Sequence, residues 1–152
     1  MAITQLDQAG LEMINQFEGC VLHPYLDQAG IPTIGIGMTY YPDTGNKVTM
    51  QDPPITQDQA NAYFIQMAVP YASSIHLDTV PVLNQNQFNA LFSFCYNIGI
   101  SGFEGSTVLR LVNQNITDDT LKQAFLMWVK AGGRVLQDLV DRRTKEYEIY
   151  IS

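Results

Sequence analysis

The chain has 152 residues, 46% of them hydrophobic and 15% charged, which excludes a disordered polar chain and allows one compact domain whose core needs no disulfides. Its formal charge of −7 argues against a nucleic-acid partner, and no run approaches the ~20 apolar residues of a membrane span, which argues against stable membrane insertion. What positive field there is belongs to the C-terminal part: residues 1–109 carry Lys47 alone against nine acids, for −8, whereas residues 110–152 carry seven basic residues against six acids, for +1.

The N-terminal stretch MAITQLDQAG has neither a basic n-region nor an apolar h-region, so no secretory signal peptide is expected. Apolar spacing at Leu6, Leu11, Ile14 and Phe17 predicts a first helix over 4–18, with Thr4 as N-cap, Asp7 three residues on, and Gly19 as the stop. Glu18 therefore sits on its last turn. Tyr25-Leu26-Asp27 then leads into Gln28-Ala29-Gly30, and Pro32 to Thr39 is β-rich and Gly-spaced, so this segment reads as a short hairpin turned at Ala29-Gly30. Asp27 stands at its rim, and folding back brings the Thr33 hydroxyl near it.

From Tyr40 to Ile55 the chain is rich in Pro, Gly, Asp and Asn and reads as a loop at the edge of the hairpin region, lining a cleft or simply solvated. Thr56 caps a helix reaching to Ile75, which Pro70 breaks or kinks, followed by a connection over 73–84. Residues 85–97 form a core-directed helix, 98–106 a turn, and Ser106-Thr107 caps a short helix over 108–113. Thr117 opens a helix that Gly132-Gly133 ends, with Trp128 on its core side. The last helix runs from about Arg134 to Tyr150, its pair Arg142-Arg143 facing solvent or a cleft. Cys20 and Cys95 fit no metal or redox motif and read as reduced thiols, or else as one bridge; His23 and His76 are isolated and propose no metal site.

Glu18 and Asp27, held by different elements, are the candidate chemistry. Glycoside hydrolysis needs such a pair, one carboxylic acid to protonate the leaving oxygen and one carboxylate to attack the sugar or activate water. Spacing alone does not carry this reading, because an acidic chain offers the same pair by accident.

The run Phe17–Thr39 resembles the phage-type lysozymes, glycoside hydrolase family 24, whose signature is a Glu at a helix end, a Tyr-x-Asp, a Gly turn and Thr-Ile-Gly-x-Gly. Here these are Glu18, Tyr25-Leu26-Asp27, Gly30 and Thr33-Ile34-Gly35-Ile36-Gly37. Asn97-Ile98-Gly99 with Phe103-Glu104-Gly105-Ser106-Thr107-Val108-Leu109 resembles the family's second block, and Leu139-Val140, Arg142-Arg143 and Glu146 its third. One position departs: the family usually has His after the second Gly, and this chain has Met38.

The resemblance implies an α+β, mostly helical, lysozyme-like fold. A small N-terminal β-hairpin lobe (about 15–60) and a larger helical lobe (about 70–152 plus the N-terminal helix) are joined by a long helix, with a cleft between them. It implies a peptidoglycan hydrolase, an endolysin or muramidase that cleaves the β-1,4 bond between N-acetylmuramic acid and N-acetylglucosamine for host cell lysis by a phage or prophage. In it Glu18 is the general acid, protonated through burial or nearby acids, Asp27 the ionised partner, and Thr33 a hydroxyl that orients water, in an inverting reaction. Tyr96 resembles an aromatic presented to the sugar, although its aromatic-rich helix reads first as core. Ser106 falls at a substrate hydroxyl, although N-capping accounts for it equally. Arg142 or Arg143 would hold Glu18 in place, the alternative being surface pairing with Glu146 or Asp138. No metal or organic cofactor is called for. A monomer waiting in the host bacterial cytoplasm for holin-assisted release and acting on the wall in the periplasm is expected, with a virion or secretion-device lysozyme as the second setting. The competing class is a catalytically weak or inactive lysozyme-fold protein that binds wall or a protein partner, motivated by Met38 and the acidic surface.

Overall fold

The computed structural model describes residues 2–152 and divides the chain into two compact units, Leu11–Val69 on one hand and residues up to Gly10 with Pro70–Ser152 on the other. Helix α1 (Gln8–Glu18) begins at the end of the second unit and continues into the first. It starts four residues later than the sequence suggests, because Asp7 rather than Thr4 meets its orphan amides: the Asp7 carboxylate accepts from Gly10 N at 2.9 Å.

In the unit Leu11–Val69, Gly19 ends α1 in the left-handed region (φ 79°), its amide bonded to Asn15 O at 2.9 Å. Strands β1 (Val21–Leu26) and β2 (Pro32–Gly35) then pair antiparallel, with Tyr25 opposite Thr33 and Leu26 opposite Pro32. The β-rich run stops at Gly35 rather than Thr39. Gly35 and Gly37 both take positive φ (65° and 62°), which curls the chain so that Ile34 and Met38 bond to each other through both amides. Ile34, Met38 and Val48 form a buried cluster against which Tyr41, Ile55, Tyr63 and Met67 pack. Met38, the position that departs from the family pattern, is thus a core residue at 2% exposure.

The 40–55 segment closes over this cluster as an ordered structure. Tyr40 bridges Lys47, and Asp52 accepts from Thr49 N, Thr49 Oγ1 and the Tyr41 hydroxyl. Those bonds hold the Asp52 carboxyl below its usual range, the Thr49 amide contributing most, while burial and the adjacent carboxylate push the Tyr41 phenol up to about 12. Helix α2 (Gln57–Met67) opens with a full capping box, Thr56 bonding Gln59 N and the Gln59 side chain returning to Thr56 N. The break expected near Pro70 is there, two residues earlier. The chain breaks at Ala68, and α3 (Val69–Asp78) carries Pro70 in its first turn, where a missing amide costs nothing, and runs into the expected connection over 73–84 as far as Asp78.

In the other unit, α4 (Gln85–Ile98) is the central element, capped by an Asn84–Gln87 box and buried from Phe88 through Cys95. Phe94 meets the edges of Phe103, Phe125 and Trp128 at centroid distances of 5.1–6.4 Å. The expected turn over 98–106 contains a short helix, α5 (Ile100–Glu104), and Ser106 caps α6 (Thr107–Asn113). Asp118 rather than Thr117 caps α7 (Asp119–Phe125), which ends well before Gly132 as Met127 N and Trp128 N close onto carbonyls three residues back. Gly132 and Gly133, read from sequence as a helix stop, both have positive φ (59° and 77°) and turn a second hairpin of β3 (Lys130–Ala131) and β4 (Arg134–Val135). Helix α8 (Gln137–Ile151) follows, packed along α4.

Candidate active site

The expected catalytic residues all belong to the unit Leu11–Val69. Glu18 is the last residue of α1 and is exposed. Asp27 heads the hairpin turn and organises it. Its Oδ1 accepts from Ala29 N at 2.8 Å and Ile31 N at 2.9 Å, its own amide donates to Ile31 O, and Gly30 at φ 76° closes the turn onto Asp27 O. Oδ2 stays outside these turn bonds. Thr33 is buried at 2% exposure and its hydroxyl donates to Ile31 O at 2.8 Å, so it is joined to Asp27 through Ile31 rather than by a direct bond. Its lone pairs remain able to accept. Cys20 and Cys95 are both free thiols, and burial pushes Cys95 up to about 12, with Asp78 and Glu104 adding to it.

The remaining expected site residues belong to the other unit. Tyr96 is half-buried in an aromatic ladder, stacked on Phe92 (6.1 Å, 9°) and tilted against Tyr71 (5.1 Å, 60°). Ser106 is buried with its hydroxyl used in both directions, donating to Phe103 O at 2.8 Å and accepting from Leu109 N at 3.1 Å, which is the capping role. Arg142 and Arg143 do not face solvent: both are buried, and both pair with Glu146, itself fully buried. Arg143 Nε lies 2.6 Å from Glu146 Oε1, Arg142 Nε 3.4 Å from Oε2, Ser93 Oγ donates to Oε2 at 2.6 Å, and Arg143 Nη2 donates to Asn97 Oδ1 at 2.8 Å. Burial pushes the Glu146 carboxyl up to about 7 against the pull of Arg143, Ser93 and Arg142. Ser93, the hydroxyl in this cluster, carries no mark in the sequence beyond being, with Asn89, a polar residue on the buried face of α4.

Among the described residues no group of three or more His, Cys, Asp or Glu is arranged to hold a metal ion, and no helix is long and apolar enough to cross a membrane.

A mostly helical chain with two small hairpins, its carboxylates placed on a helix end and on the turn of the first hairpin, has the lysozyme-like fold. It belongs to the phage lysozyme family, whose model matches residues 15–146. It is 39% identical to the endolysin of Salmonella phage P22 over 151 residues, covering 97% of this chain and 99% of that protein. The crystal structure of a point mutant of P22 lysozyme is similar at a TM-score of 0.86 and 34% identity, covering 99% of this chain and 100% of that one. The endolysin from Escherichia coli O157:H7 phage FAHEc1 is similar at 0.82 and 33%, covering 97% and 94%.

Proposed function

We propose that this phage peptidoglycan hydrolase is a muramidase, cleaving the β-1,4 bond between N-acetylmuramic acid and N-acetylglucosamine during host lysis. The observation that carries the reading is the contrast between its two carboxylates within one unit: Glu18 at an exposed helix end and Asp27 fixed by two backbone amides at a hairpin turn. Glu18 delivers a proton to the leaving glycosidic oxygen. Asp27 acts as the base: its Oδ1 is held by two amides, and its Oδ2 accepts the proton of an attacking water. Thr33, its hydroxyl proton committed to Ile31 O, supports that water as an acceptor, which favours inversion. Tyr96 serves as a sugar platform. Release from the host cytoplasm by a holin, action on the wall in the periplasm and a monomeric state complete the reading.

One of the two motives for the binding-only alternative weakens, because Met38 fills a core cluster. Glu18→Gln is expected to lower the clearing rate of outer-membrane-permeabilised Gram-negative cells by ~10²–10⁴-fold while wall binding persists. Fragments released by the parent should carry reducing muramic acid ends; reducing glucosamine ends, or clearing by Glu18→Gln at the parent's rate, would sink the assignment.

A further inference from the structure

We propose that Asn15, Gln57 and Asn61 are positioning residues for Glu18, a set of side-chain amides that fixes the end of α1 against α2; the inference rests on reading Glu18 as the acid.

Glu18 occupies a poor place for a group that must be held to a fraction of an ångström. It is exposed, it closes a helix, and the next residue is a glycine in the left-handed region, so its own stretch of backbone does little to stiffen it. The chain is instead held on both sides of it by the first two turns of α2. One turn before Glu18, Asn15 Nδ2 donates to Asn61 Oδ1 at 3.3 Å. Two residues after it, Cys20 Sγ receives a weak contact from Gln57 Nε2 at 3.8 Å. The two holds are joined, because Gln57 Nε2 also donates to Asn61 Oδ1 at 2.9 Å. Asn61 is buried at 8% exposure, and its oxygen, taking two donors, is fixed as the acceptor.

Two further observations say that this arrangement is held for a reason. Asn15 also anchors the helix end through its backbone, since its carbonyl accepts the Gly19 amide at 2.9 Å, so one residue ties the Glu18 turn by main chain and side chain together. Its side-chain oxygen, however, is buried with no hydrogen-bond partner. Turning the amide over would set two oxygens face to face, so Asn15 keeps the orientation that serves Asn61 and leaves its own acceptor unsatisfied, a cost that native structures rarely carry. The reference these residues grip is itself rigid: α2 begins in a complete capping box, and Ile55 N donates to Leu22 O at 2.8 Å, tying the helix entrance to β1.

The test compares Gln57→Leu, Asn61→Leu, Asn61→Asp and Glu18→Gln on soluble glycan strands, with kcat and KM separated and the melting temperature of each variant measured. Gln57 is exposed, so its variant folds whatever happens at the buried site. A misplacement approaching 1 Å costs on the order of 10²-fold, so Asn61→Leu should lose kcat by ~100-fold and Gln57→Leu by ~10-fold with KM within about twofold. Asn61→Asp, which keeps an acceptor oxygen for both donors, should recover most of kcat. Parental kcat in Gln57→Leu and Asn61→Leu well below their melting temperatures, or no recovery with Asp, overturns the positioning role and leaves these amides as packing. Full activity in Glu18→Gln overturns the reading of the acid itself, which the other variants do not touch.

Discussion

The hairpin turn at Asp27 and the seam of α4 and α8 at Glu146 both hold a carboxylate, and they do so in opposite ways. Asp27 is half-buried and bonded by amides two and four residues away, so its support is local backbone. Glu146 is fully buried and bonded by two guanidinium groups and a hydroxyl, one of these groups 53 residues away in sequence. The first carboxylate keeps an oxygen for other work. The second is consumed by architecture, because every charge around it must be answered inside the protein. If the proposed function holds, chemistry and stability fall to different acids, and substitutions at the two should separate them.

The largest effect on folding is expected at the seam. Glu146→Leu leaves Arg142 and Arg143 buried without their shared carboxylate, and losing one partner of a buried ion pair costs about 3–5 kcal/mol. Urea unfolding should give a midpoint shifted by that amount with an unchanged slope. A loss below about 1 kcal/mol would mean that the seam rearranges freely and that the contrast with Asp27 is empty.

The same carboxyl sets a pH dependence of somewhat smaller size. Its folded value of about 7 stands above the ordinary 4.5, so Glu146 favours the folded state below pH 4.5 and loses that contribution as pH rises through 7. At about 1.36 kcal/mol per unit, the term is on the order of 3 kcal/mol. The stability difference between the parent and Glu146→Leu should therefore narrow between about pH 5 and pH 8. Other titrations are common to both proteins and cancel; a difference that stays flat or widens with pH would show that the two arginines hold Glu146 ionised throughout.

This contrast also separates what could be read in the residues from what could not. Features set by neighbours in sequence were legible: Gly19 as a stop, the turn at Ala29-Gly30, the Thr56 cap, the Ser106 cap. The Gly132-Gly133 pair was misassigned because a helix stop and a two-residue hairpin turn ask for the same residue, and only the pairing of Lys130 with Val135 decides between them. The inward turn of Arg142 and Arg143 was illegible for a different reason. Adjacent basic residues on a helix usually mark a wet face, and the partners that bury them, Ser93 and Asn97, lie on another helix. Of the candidate site, the carboxylates on turns were visible in the chain, while the Asn61 amide network has no local pattern at all.

The smallest effect on stability is expected where the chemistry is placed. Asp27→Asn retains an oxygen that accepts the Ala29 and Ile31 amides, so the turn keeps its bonds and stability should change by less than about 1 kcal/mol. What Asn cannot do is take a proton from water, and kcat should fall by ~10²–10⁴-fold. Asp27→Ala loses both functions and should add a stability loss of about 1–2 kcal/mol to the same loss of rate. Measuring unfolding and turnover on both variants separates the roles one oxygen at a time. Equal rates in the two variants, with stability lost only in Ala, place structure on Oδ1 and chemistry on the ionised carboxylate. A fully active Asp27→Asn would instead make Asp27 a turn residue like any other, and the base would have to be sought elsewhere in the same unit.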